Sequence, residues 1–217
     1  MKLLNQIYTW HFALLIITAF GITSCASTGM QRSQDTQTTM ETMDNDIQEV
    51  SRQLDATGAS MDELMRSDQT DITRAFETYK NNVEKMVAME KKFAKHAEKM
   101  KEQGIDYFEE WQKEGTEYKN PKIKQLSDER RAALGEIYDK IAENSIGVNE
   151  AFKTYVSDIQ EIQTYLSNDL TTKGIAAIAS TSEKVVSEGD SLKQAIQNVQ
   201  TAIQNARAEM SQTAGIN

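Results

Sequence analysis

From Ile175 to Met210 an apolar or small residue recurs at alternating steps of three and four. The positions are Ile175, Ile178, Ser182, Val185, Gly189, Leu192, Ile196, Val199, Ile203, Ala206 and Met210. An α-helix turns once every 3.6 residues, so this spacing lines all of them along one side of a helix. The stripe is only about two positions per heptad wide, the width of a coiled-coil seam. Such a helix would be about 60 Å long for about 40 residues, and it can bury its seam only against partners of similar length.

Those partners lie in the same chain. Met40, Met43, Ile47, Val50, Leu54, Met61 and Leu64 form a first stripe, with Thr57 in one slot. After "RSDQTD" a second runs through Ile72, Phe76, Tyr79, Val83, Met86, Phe93, Ala97 and Met100. A third holds Leu134, Ile137, Ile141, Val148, Phe152, Tyr155, Ile159, Ile162 and Leu166, with Asn144 or Ser145 filling its gap and loosening the packing. Gly115 and "EYKNPK" stop the second helix; Asn120 suits an N-cap and Pro121 the first helical position. "SNDLTTKG" offers Asn168, Asp169, Thr171 and Thr172 as caps for the last turn. Residues 67–71 read as a turn or kink, with a register slip in one long helix as the alternative. The expected helices are 40–66, 71–114, 121–167 and 172–213, folded into an elongated antiparallel bundle, all-α. One proline and few aromatics argue against the many turns of a β-sandwich or barrel.

The start of the chain has a different character. Lys2 precedes a short apolar run from Phe12 to Phe20, too short to span a bilayer, which takes about 20 residues. Ile22, Thr23, Ser24 and then Cys25, the only cysteine, follow it. An aliphatic residue, two small ones and a cysteine match the bacterial lipoprotein pattern. Residues 1–24 are therefore expected to be a signal peptide, and Cys25 to carry diacylglyceryl and N-acyl chains such as palmitate. A generic signal with an incidental cysteine and a spanning anchor are the alternatives; the lone thiol and the spacing favour lipidation. Two or more chains anchor stably where one holds only marginally. Residues 25–39, small and polar, read as a flexible tether.

Charge excludes one class of partner. The chain carries −9, and loss of Lys2 makes the remainder more acidic, which argues against nucleic acid. Residues 26–71 hold ten acids against Arg32, Arg52 and Arg66, whereas residues 80–101 hold seven lysines against Glu84, Glu90 and Glu98. Docking of the acidic first helix on the basic stretch is expected; anionic headgroups are the alternative occupant. His96, the only histidine after Cys25, has no ligand partner at helical spacing and reads as a solvated surface side chain. No phosphate-cradling loop or nucleophile elbow appears. No catalytic, cofactor or metal residue is therefore expected, and the chain reads as no enzyme.

Tyr107, Phe108, Trp111 and Tyr118 cluster where the second helix gives way to the third. Most are expected to close the bundle end. Tyr118, in the loop, and Lys119 are the candidate partner contact, with Trp111 as buried support.

"FEEW" at Phe108–Trp111, Tyr118, Asn120, Ser127, Tyr138, Ile141, Leu166, Leu170, Lys173 and Ile175 carry a resemblance to an uncharacterised bacterial family, domain of unknown function 2959. The resemblance implies a helical, coiled-coil-like fold and a lipoprotein signal, and no activity. The expected role is that of an envelope lipoprotein, a scaffold or interaction bundle whose expected partners are membrane lipid, met through acylated Cys25, and an envelope protein. Ala26 after the cysteine, in place of Asp, points to the outer membrane and the periplasm. The alternatives are a membrane-active helical protein and a carbohydrate- or peptide-binding module using the aromatic turn.

Overall fold

Each stripe becomes one continuous helix. A computed structural model describes residues 29–66 and 68–211; the expected signal peptide, Cys25 and residues 212–213 lie outside them. The helices are α1 (Gly29–Met65), α2 (Ile72–Gly115), α3 (Pro121–Asn168) and α4 (Thr172–Ser211). The seam positions are buried almost without exception, and only Ile72, Ile137 and Ile178 are partly so. In α3 the core position is Tyr138 instead of Ile137, and Ser145 instead of Asn144 fills the gap. The Ser145 hydroxyl donates to the Ile141 carbonyl at 2.7 Å, which satisfies it inside the seam.

The turns follow from their capping chemistry. Helix α1 ends at Met65 and α2 begins at Ile72, so the two are separate helices and not one with a register slip. Asp71 accepts from the Arg74 amide at 3.0 Å, and Arg66 pairs with Glu63 and Asp68. Asn120 accepts from the amides of Lys122 and Ile123, with Pro121 at the first helical position. Between α3 and α4 the Gly174 amide donates to Thr171 Oγ1 at 3.1 Å, and that hydroxyl donates to Asp169 at 2.7 Å. A Cβ on Gly174 would stand 2.3 Å from the Asp169 carbonyl oxygen, so only glycine fits there.

One expectation fails. Residues 29–39 are the first three turns of α1, not a tether. Thr36 and Thr39 are buried in the seam, and their hydroxyls donate to the Arg32 and Thr36 carbonyls, both at 2.9 Å. A threonine whose hydroxyl returns to its own helix presents its methyl to the core, so a polar stretch continues the stripe.

Helix α1 packs on α2 and α4, and α3 packs on α2 and α4, while neither diagonal pair brings its backbones close among the described residues. This is a square, up-down-up-down four-helix bundle. Its longest helix, 48 residues, is about 72 Å long. Because each helix reverses the last, the start of α1, the end of α2, the start of α3 and the end of α4 share one end. Arg32 pairs with Glu114 at 2.6 Å, Trp111 with Ser127 at 2.9 Å, and Arg130 with the Glu209 carbonyl at 2.6 Å, which ties all four helices together there.

Candidate functional site at the hairpin end

The α2–α3 connection is short and fully capped. The Thr116 amide donates to the Lys113 carbonyl at 3.2 Å, and Asn120 restarts the helix four residues later. Gly115 needs no left-handed backbone, since no described glycine has positive φ. It is buried, and a Cβ there would stand 3.9 Å from Ser127 Oγ in the adjoining helix.

Behind the loop the aromatics stack edge to face. Tyr107 meets Phe108 at 5.1 Å and Trp111 at 5.6 Å, and Phe108 meets Tyr138 at 5.5 Å. Burial pushes the Tyr107 hydroxyl above the usual phenol range, against the pull of Arg130 and Arg32. Trp111 is half-buried, its indole N–H on Ser127, so it supports the end without being enclosed. As expected, the outlier is Tyr118, 40 % exposed in the loop. Lys119 and Lys122 are exposed and make no ion pair among the described residues, whereas Lys113 pairs with Glu110 at 3.5 Å and Lys124 with Asp128 at 2.9 Å. Lys124, with Arg131 beside it, holds the Asp128 carboxyl below the usual carboxylate range.

Exposed apolar side chains gather at this end. Of six large hydrophobics exposed among the described residues, Met30, Tyr118, Ile123 and Leu126 lie within two turns of it. Ile105, further up α2, borders an apolar groove of about 440 Å³ between α2 and α3. Gly104 and Gly135, which have no side chain, and Ala132, which has only a methyl group, line it. A Cβ on Gly104 would lie 2.1 Å from the Tyr138 ring, while one on Gly135 would meet nothing within 4 Å.

His96 is not a solvated surface residue. Its Nδ1 contacts Asp46 of α1, whose carboxylate is only 4 % exposed and also receives Lys92 Nζ at 2.9 Å. Lys92 reaches Glu49 too, at 2.9 Å, and these two bonds hold its ammonium above the usual lysine range. The basic stretch of α2 thus docks the acidic α1, as the charge pattern predicts. Sequence reading missed the carboxylate partner because Asp46 and His96 are fifty residues apart and meet only through the hairpin register.

The family described as "Protein of unknown function (DUF2959)" matches residues 23–212. No curated protein and no solved structure matches the chain.

Proposed function

We propose that this chain, which belongs to the DUF2959 family, is a lipid-anchored spacer or scaffold of the bacterial envelope. On this reading Cys25 carries the acyl chains, and the protein faces the periplasm, held at the outer membrane. One observation carries the proposal: α1 runs without a break from Gly29, four residues after Cys25, into a bundle about 72 Å long. A rod fixed at one end places its far end at a set distance, which a globule on a flexible leash cannot do. The seam residues are spent inside the bundle, and its sides carry ion pairs such as Lys193–Asp55 at 2.5 Å and Arg207–Glu41 at 3.8 Å.

The reading is tested by Cys25→Ser in cells. The wild type should fractionate with membranes and show an N-terminal peptide bearing three acyl chains. The variant should remain unprocessed or become soluble. Normal processing and unchanged partition of the variant would overturn the assignment.

A further inference from the structure

The end of the bundle at which α1 begins is the end nearest to Cys25 along the chain. Three residues separate Cys25 from Gly29, and an extended chain reaches at most about 14 Å over those four steps. Arg32, in the first turn of α1, pairs with Glu114 in the last turn of α2, so the 116–120 loop lies beside the start of α1. Met30, Tyr118, Ile123 and Leu126 present exposed apolar groups there. Lys119 and Lys122 stand among them without acidic partners, and Glu117 is the one acid between Thr116 and Lys124.

From this juxtaposition we infer that the α2–α3 tip docks on an anionic phospholipid surface and stands the rod up from it. The inference rests on the lipoprotein reading. Apolar side chains with lysines interleaved are what an interfacial segment uses: the former sink into the headgroup boundary and the latter meet phosphates. The other described residues lack this combination: the chain carries −9 overall, and among the described residues the other end exposes only Tyr165 as a large hydrophobic. A protein partner could use the same residues, but the three-residue link from Cys25 puts a bilayer within reach of them first.

The test uses the full chain purified from membranes and reconstituted in vesicles of phosphatidylcholine containing phosphatidylglycerol. An environment-sensitive fluorophore is placed at Tyr118→Cys or, at the opposite end, at Ser167→Cys, and intact mass reports acylation. Brominated acyl chains should quench the label at 118 and spare that at 167. Lys119→Glu combined with Lys122→Glu should lower the ratio of docked to undocked protein by about tenfold or more. Equal quenching at both positions in acylated protein would overturn the docking and leave the lipoprotein reading intact. Quenching at 118 that ignores the charge reversals would overturn the anionic-surface assignment. Absence of acyl mass would overturn both readings.

Discussion

Gly104 and Gly135 border the same groove, and replacing each by alanine should move stability in opposite directions. In a helix interior alanine is favoured over glycine by about 1 kcal/mol. At Gly135 nothing opposes that gain, because the added methyl group enters open space. At Gly104 the methyl group would lie 2.1 Å from Tyr138 Cε1 and 2.5 Å from Cζ. The ring must swing toward the groove, which breaks the bond from its hydroxyl to the Met100 carbonyl at 2.9 Å and its edge contact with Phe108. A lost hydrogen bond costs about 1 kcal/mol and overpacking about 1–3 kcal/mol. After subtracting the helix gain, Gly104→Ala should be destabilising by about 1–3 kcal/mol. For a bundle of this size about 1 kcal/mol moves Tm by about 2–4 °C, so thermal melts followed by circular dichroism resolve both signs. Tyr138→Ala removes the obstacle, and Gly104→Ala on that background should become stabilising. If Gly104→Ala raises Tm as much as Gly135→Ala does in the parent protein, the knob-in-hole account of Tyr138 is wrong.

Three other perturbations are as specific. The Ser182 hydroxyl is buried with no hydrogen-bond partner, so Ser182→Ala should be neutral or stabilising by up to about 1 kcal/mol in urea melts. Asp46→Ala removes the buried acceptor of Lys92 and His96 and should cost about 1.5–3 kcal/mol, with faster amide exchange in α1. Burial pushes the Asp158 carboxyl above its ordinary 3.8, aided by Glu188, which shares a hydrogen bond with it and repels it, and by Glu161; Lys184 pulls it back. A raised carboxyl pKa means the folded state binds more protons, so its stabilising contribution is full below 3.8 and is lost as pH rises through the folded value. Asp158→Asn should therefore stabilise the bundle near neutral pH and lose that advantage in acid; an equal gain at both would contradict the assignment.

The seams and caps were legible because apolar periodicity and the Asn120–Pro121 pair act locally. What escaped depended on partners. Thr36 and Thr39 look like tether residues until α1 has neighbours to pack on; only then do their methyl groups count as seam. The Asp46–Lys92–His96 contact needs the register of a hairpin, which opposite charges suggest but do not set. The location of the aromatic tip beside the start of α1 needed less. Four antiparallel helices return the second turn to the end where the first helix begins, and Tyr118 and Lys119 follow from that count. The groove at Gly104 was invisible, since a missing side chain matters only once Tyr138 is seen against it.

Helix α1 is helical from Gly29 and is pinned to the hairpin end of a rod. Spin labels at Gln34→Cys and Glu117→Cys measure it directly by pulsed electron resonance, with Asn168→Cys as the far reference. All three positions are exposed, and the Arg32–Glu114 ion pair lies between the first two. The 34–117 distance should be narrow and below about 25 Å, since the two helices are neighbours and each label lies near the shared end. The 117–168 distance should exceed about 60 Å along α3. A broad 34–117 distribution would mean that residues 29–39 are a tether after all, and the rod would then have no fixed hold on its anchor.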